Sequence, residues 1–485
     1  MPLAHSTPRS AAARLSLCGL VLAGACGDGP TSSDPNRPIP AEMWLLSPVT
    51  QSGTPGWPLP DSVIVEVLGP DGHPLSGVTV TWTANNDADV VERAADTTNI
   101  DGRASAIWTL GRREGEQTLS VSVGDLAPLT VTANATIFHA ASVTLGNGFA
   151  CALNEAGRAF CWGWNYQGQV GNGTVGTPVR TPVPVAGELV FTELSAAGYH
   201  VCGLTAGGEA YCWGSNEEGE TGTGTVGPGV AVPTPVQTAL RFTQISAEGI
   251  GFSSSTCGLT GAGEAWCWGD NRFGKLGNGT TESSAVPVRV QSDVPFTSVH
   301  TGYFHSCAVA VGGELWCWGE QETDTGAFGA RPTGLYTTPV LLHPDFRFVR
   351  LATGRDYSCG LTAQHTALCW GANWFGSLGS GSANEPSAVP RPVVGGLSFV
   401  SLSPTSFEEV YALTPEGVLY RWGSPGNDNV QTTPISITDF RFLSADSGYE
   451  PVDFSNGACG LSSGNAVYCV RGDGLVRGVP ALLEF

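Results

Sequence analysis

Methionine and basic residues are both scarce in this chain, with two Met and 22 Lys plus Arg among 485 residues. Few strong helix formers beside 66 Gly and 33 Pro argue against long helices, because both residues weaken helix interiors. The basic residues face 43 Asp plus Glu, for a formal charge of −21. No Lys/Arg cluster occurs beyond the first residues, which excludes nucleic acid and anionic lipid surfaces as expected partners, since both need basic patches. After residue 26 no apolar run is long enough to span a bilayer as a helix. Catalytic signatures are missing too: there is no Gly-x-Ser-x-Gly elbow, P-loop or His-Glu-x-x-His. The eight histidines are scattered, and no metal or other cofactor is expected. The chain reads as a non-enzymatic protein.

What it does contain is a period. Twelve of the fourteen cysteines form six pairs: Cys151 with Cys161, Cys202 with Cys212, Cys257 with Cys267, Cys307 with Cys317, Cys359 with Cys369 and Cys459 with Cys469. Each pair spans ten positions, and the first members recur about every fifty residues, a spacing that points to solenoids or propellers. The segment between paired cysteines holds a short turn such as Asn154-Glu-Ala-Gly157. Folded as a hairpin, it sets the two cysteines directly opposite each other, close enough for a disulfide. Metal ligation would need closer cysteine spacing or adjacent histidines.

The amino terminus reads as an export signal over residues 1–25. Arg9 and Arg14 precede Leu15-Ser-Leu-Cys-Gly-Leu-Val-Leu22, and Ala23-Gly-Ala25 lead to Cys26. This resembles a bacterial lipobox, in which Cys26 becomes the lipidated first residue; cleavage after Ala25 to give a secreted protein is the other reading. Both place the folded chain where disulfides persist. Residues 26–40, with Gly27-Asp-Gly-Pro-Thr-Ser-Ser-Asp-Pro35, read as a disordered tether.

Over 41–137 the pattern alternates with period two. Val63, Val65 and Val67, then Val78, Val80 and Trp82, then Leu119, Val121 and Val123 mark one apolar face, as in strands that cover a sandwich core. About seven such strands are expected. The wording Gly69-Pro-Asp-Gly-His-Pro-Leu-Ser-Gly-Val-Thr-Val-Thr-Trp82 and Thr98-Asn-Ile-Asp-Gly-Arg-Ala-Ser-Ala-Ile-Trp108 resembles bacterial Ig-like domains of the intimin/invasin type. That resemblance implies a spacer. Asn85-Asn-Asp-Ala-Asp89 lacks the spacing of a calcium loop and reads as an exposed loop.

From 138 to 485 the repeats take over. Cys151-Ala-Leu…Cys161-Trp-Gly-Trp-Asn165, Cys202-Gly-Leu…Cys212-Trp-Gly-Ser-Asn216 and Cys257-Gly-Leu…Cys267-Trp-Gly-Asp-Asn271 strongly resemble repeats of the regulator of chromosome condensation family. The resemblance implies a seven-bladed β-propeller, and seven units can be counted. The fold class expected is therefore all-β: an N-terminal Ig-like sandwich followed by a propeller with intra-blade disulfides. The recurrent Trp162, Trp213 and Trp268 are expected in the core between blades. His200 and His305 share one blade position and are expected to be hydrogen-bonded core residues. Unit six replaces its cysteines with Tyr411 and Arg421, expected to stack as a cation–π pair. Unit four carries the insertion Glu320–Asp324, and unit seven replaces Trp-Gly with Val470-Arg-Gly472. The terminal strand 479–485 is expected to complete the first blade.

Function is expected in face loops where units differ from one another. These hold Trp164, Tyr166, Arg272, Phe273, Trp374 and Phe375, with Glu217 and Glu218 in unit two. An aromatic rim there would suit an unidentified protein or glycan. The expected function is recognition or adhesion at the cell envelope, with membrane contact only through the lipid anchor. A secreted inhibitor resembling propeller-type β-lactamase inhibitory proteins is the alternative. Guanine-nucleotide exchange, the activity of the eukaryotic family founder, fits poorly with an exported, disulfide-dense chain.

Overall fold

The computed structural model describes residues 38–85, 90–93, 96–250, 253–321, 326, 328, 332–405, 408–424, 430–449, 456–471 and 476–479. The leader, Cys26 and most of the tether, Asn86–Asp89, Glu322–Asp324 and residues 480–485 lie outside them. Every regular element within the described residues is a strand.

Residues 42–135 form two four-stranded sheets. One orders the strands Glu42–Leu45, Val63–Leu68, Arg103–Thr109 and Val90–Arg93; the other orders Thr50–Gly53, Leu129–Ala135, Gly115–Ser122 and Thr81–Ala84. Alternation sends Val63, Val65 and Val67 inward, where each is fully buried. They meet Leu119, Val121 and Val131 of the facing sheet. Eight strands occur among the described residues, against about seven expected. Thr50–Gly53, which pairs in parallel with Leu129–Ala135, has no apolar alternation to announce it.

Among the described residues seven four-stranded antiparallel sheets follow, each from one continuous stretch of chain. The first comprises Ser142–Leu145, Phe149–Leu153, Ala159–Gly163 and Val179–Pro184; the last comprises Ser444–Tyr449, Asn456–Leu461, Val467–Arg471 and Val476–Gly478. In every sheet the first strand is innermost. These seven inner strands contact one another in a closed circuit, the last meeting the first, and they line a central channel of about 410 Å³. The Pro-Val strands are outermost, where a proline without an N–H breaks no ladder.

Every cysteine pair singled out by its spacing is a disulfide between directly opposed residues of the second and third strands. Cys151 is bonded to Cys161, Cys202 to Cys212 and Cys257 to Cys267. Cys307 is bonded to Cys317, Cys359 to Cys369 and Cys459 to Cys469. The Cα separations are 4.0 to 4.1 Å throughout. In unit six the same register opposes Tyr411 and Arg421. The expected cation–π pair does not form. Arg421 instead donates from Nη1 to Glu409 Oε1 at 2.8 Å, with both side chains buried. Glu409 shares a strand face with Tyr411, two residues away, and a carboxylate satisfies a buried guanidinium better than a ring face does.

The six Trp-Gly tryptophans, Trp162 through Trp422, are fully buried. Four donate Nε1 to a loop carbonyl of the preceding sheet: Trp213 to Gln169 at 3.0 Å, Trp268 to Glu220 at 3.0 Å, Trp318 to Lys275 at 2.7 Å and Trp422 to Ser377 at 2.8 Å. Each indole thereby staples adjacent sheets. In unit seven Val470 occupies the same register position, paired with Ala458, and is also fully buried.

Of the closing strand expected over 479–485, only Val479 lies within the described residues, and its N donates to Val467 O of the last sheet at 2.9 Å. The first sheet is built of four strands from its own stretch of chain, Val179–Pro184 being the outermost. Residues 476–478 pair with the third strand of the last sheet. The entering segment clasps that sheet. Phe138 N donates to Val479 O at 2.9 Å, Val467 N to Phe138 O at 2.8 Å and Ala140 N to Asn465 O at 2.8 Å.

Candidate functional site

Antiparallel neighbours alternate direction, so two sets of loops emerge at one end of the ring. One set joins first to second strands; the other follows each Trp-Gly step. The channel reaches this face at Gly146, Asn147 and Gly198.

The cysteines take no part in this face. Cys317, Cys369 and Cys469 are buried along with their partners Cys307, Cys359 and Cys459, and all six are bridged. Their work is to hold the second and third strands together beneath the loops, and the same holds for the bridges of the first three repeats.

Inside the channel the chain repeats an apolar-hydroxyl pattern, as in Leu194-Ser195-Ala196 and Ile245-Ser246-Ala247. The hydroxyls bridge neighbouring sheets. Thr144 Oγ1 accepts from Ala196 N at 3.2 Å, Ser195 Oγ from Ala247 N at 2.9 Å and Ser246 Oγ from Thr301 N at 3.3 Å. Gln244 repeats the device, bonding both N and O of Val299 at 3.1 Å. The wall is polar, yet its groups are largely occupied in holding the ring. Sequence reading missed this set, although the Ser-Ala step at intervals of about fifty residues could have revealed it.

The six rim residues expected from sequence fall into separate groups on this face. In the first sheet Trp164 is half-buried and Tyr166 is 58% exposed, their ring centres 6.1 Å apart. Gly148 makes room beneath Trp164: a Cβ there would lie 2.6 Å from Trp164 Cδ2, and its φ of +75° also favours glycine. In the fifth sheet Trp374 and Phe375 are 48% and 36% exposed. Phe273 packs against Phe304 edge-to-face at 4.9 Å and lies 6.2 Å from Tyr303. Arg355 stands over both Tyr303 and Phe304, 5.6 Å from each ring centre. This second cluster crosses three consecutive sheets. Tyr303, Phe304 and Arg355 were missed because the repeat reading watched the Trp-Gly loops and not the companion loops before the second strand.

Arg272 joins neither aromatic group. Its Nε donates to Asp270 Oδ1 at 2.7 Å, and Asp270 also lies 3.5 Å from the fully buried Lys275 Nζ. Arg272 therefore anchors its own loop.

Two histidines and a glutamate are among the buried titratable groups below the face. His200 Nε2 meets Thr256 Oγ1 at 2.8 Å, and His305 Nε2 meets Ser358 Oγ at 2.9 Å. Both are the core residues expected. Burial, with Lys275 nearby, pushes each imidazole down to about 3, so each is neutral. Burial drives Glu408 the other way, up to about 7, aided by Asp356 and opposed by Ser377 and Arg355. No group of three or more His, Cys, Asp or Glu able to hold a metal occurs among the described residues.

Residues 156–204 and 262–309 match the Regulator of chromosome condensation (RCC1) repeat, and a second description of that repeat covers 140–169, 191–220 and 242–275. Among curated proteins the chain is 27% identical over 379 residues to the mitochondrial RCC1 domain-containing protein RUG3 of Arabidopsis thaliana, covering 73% of this chain and 69% of that one. It is 27% identical over 309 residues to the ultraviolet-B receptor UVR8 of the same plant, covering 61% and 69%. Among solved structures, Prp20p of Saccharomyces cerevisiae superimposes with TM-score 0.55 at 19% identity, over 63% of this chain and 79% of that one. Human WBSCR16 gives 0.54 at 18% identity, over 65% and 88%. The chain thus carries regulator of chromosome condensation repeats, folded as an all-β propeller with a disulfide inside most repeats.

Proposed function

We propose that this protein is a non-enzymatic recognition module exported to the cell envelope. In this reading residues 1–25 are a signal peptide and Cys26 carries a lipid. Residues 26–40 form a tether, 41–137 an Ig-like spacer and 138–485 a seven-bladed head. The single observation that carries it is the Phe273–Tyr303–Phe304 cluster under Arg355, which lies on the same face as the exposed Tyr166, Trp374 and Phe375. Amphipathic aromatics and arginine are the side chains that dominate protein contacts, and solvent-facing aromatics gain free energy when a partner covers them. Support from relatives is of the same kind. Yeast Prp20p is described with its binding to Gsp1p and histones, and yeast RCC1 with bound Kap60. The partner here is an extracytoplasmic protein or glycan.

Affinity capture from envelope extracts tests the reading. The whole protein should retain a defined species that Tyr166→Ala, Trp374→Ala and Arg355→Ala each weaken, while outer-edge variants such as Arg180→Ala do not. Retention by all three variants would overturn the rim assignment. Labelling with radioactive palmitate, compared with Cys26→Ser, tests the anchor separately.

A further inference from the structure

The sandwich and the last sheet of the ring are held together by a small set of contacts. Tyr468 Oη donates to Arg112 O at 2.9 Å, and Arg477 stands 4.4 Å over the Trp57 ring. His139, in the connecting segment, reaches Gly464 O with Nδ1 at 2.8 Å and Glu114 Oε2 with Nε2 at 3.0 Å. Glu114 Oε1 also accepts from Ile137 N at 2.9 Å.

Tyr468, His139, Glu114 and Gly464 also line a cleft of about 410 Å³, together with Arg112, Arg113 and Arg441. Three arginines lining one cleft stand out in a chain of charge −21. None of the three has an ion-pair partner among the described residues. Among those residues Glu114 is the one carboxylate lining the cleft, and its oxygens are already engaged. Arg441 spends one donor on Asp439 O at 2.9 Å, which leaves the rest of its fork for the cleft. Ser462 and Ser463 also line the cleft.

We propose that this junction cleft binds a small multivalent oxyanion of the phosphate type. Guanidinium forks pair bidentately with tetrahedral oxyanions. Because the cleft is open to water, a monovalent anion gains little there, whereas a di- or trivalent one is attracted by all three arginines at once. Arg112 and Arg113 belong to the sandwich and Arg441 to the ring, so a bound anion would tie the two together and stabilise the folded junction by mass action.

Calorimetric titration of the full chain with inorganic pyrophosphate, at ionic strength held constant with chloride, tests this. Saturable one-to-one binding is expected, weakened at least tenfold in Arg113→Gln and in Arg441→Gln. Arg112→Gln is an informative third variant because Tyr468 holds the backbone carbonyl and not the side chain. Absence of saturable heat above the chloride control would overturn the site. So would undiminished affinity in the triple Gln variant, checked by circular dichroism to be folded.

Discussion

The carboxylate of Asp446, on the innermost strand of the last sheet, accepts two hydrogen bonds from the first sheet. Thr144 Oγ1 donates at 3.1 Å and Leu145 N at 3.0 Å. Its other oxygen accepts from Ser403 Oγ at 2.6 Å. One side chain therefore joins residues three hundred positions apart and links the last seam of the ring to the one before it. Asp446→Ala should lower stability by about 1.5–3 kcal/mol, the range for hydrogen bonds to a charged group. Asp446→Asn, which keeps one acceptor, should lower it by less. Urea unfolding midpoints measure both, and equal stability of wild type and Asp446→Ala would show that the seam is held elsewhere.

Unit six offers an exchange of a buried ion pair for a covalent bond. Arg421→Ala leaves Glu409 buried without its cation, a loss of about 3–5 kcal/mol. The combination Tyr411→Cys, Arg421→Cys and Glu409→Gln should instead form a seventh disulfide, because those two positions are directly opposed, as Cys359 and Cys369 are one repeat earlier. Peptide mapping under non-reducing conditions checks for it.

Gly222 lies beneath the Trp268 staple. A Cβ there would sit 2.7 Å from Trp268 Nε1, and φ is +67°. Gly222→Ala combines a left-handed backbone, about 1–2 kcal/mol for a non-glycine residue, with overpacking of about 1–3 kcal/mol. Gly72 has φ +74° but nothing within 4 Å of a Cβ, so Gly72→Ala should show the backbone contribution alone. The difference between the two variants in thermal unfolding measures the contact.

Acid should destabilise the ring in a predictable direction. His200 and His305 have folded values near 3 against an ordinary 6.5, so the unfolded chain binds more protons between those limits. Their contribution is fully present above pH 6.5 and is lost as pH falls toward 3. Glu193 and Glu408 are raised by burial to about 7 from 4.5, and their contribution is present below pH 4.5 and lost as pH rises through 7. The two sets oppose each other between pH 4.5 and 6.5. Removing one opponent with Glu408→Gln should make stability climb more steeply with pH across that interval. An unaltered slope of urea midpoint against pH would show that Glu408 titrates normally.

The local chemistry of this protein was written in its sequence. Ten-residue cysteine spacing implies a hairpin bridge because register inside a short hairpin is set by its own turn, which is why Cys307 meets Cys317 and Cys459 meets Cys469 with no help from distant chain. Recurrent Trp-Gly steps imply buried core tryptophans because every sheet faces two neighbours, whereas their bonds to the preceding sheet appear only in the fold. Which side chains meet was decided by the folded structure. Arg421 bonds Glu409 and not the Tyr411 ring because a buried cation needs a carboxylate, and Phe138 of the entering segment meets Val467 and Val479 of the last sheet. Asp446 meets Thr144, and Arg441 lines one cleft with Arg112 and Arg113, only when the ring closes and the sandwich rests against its last sheet. Nothing in the spacing of those residues along the chain encodes that closeness.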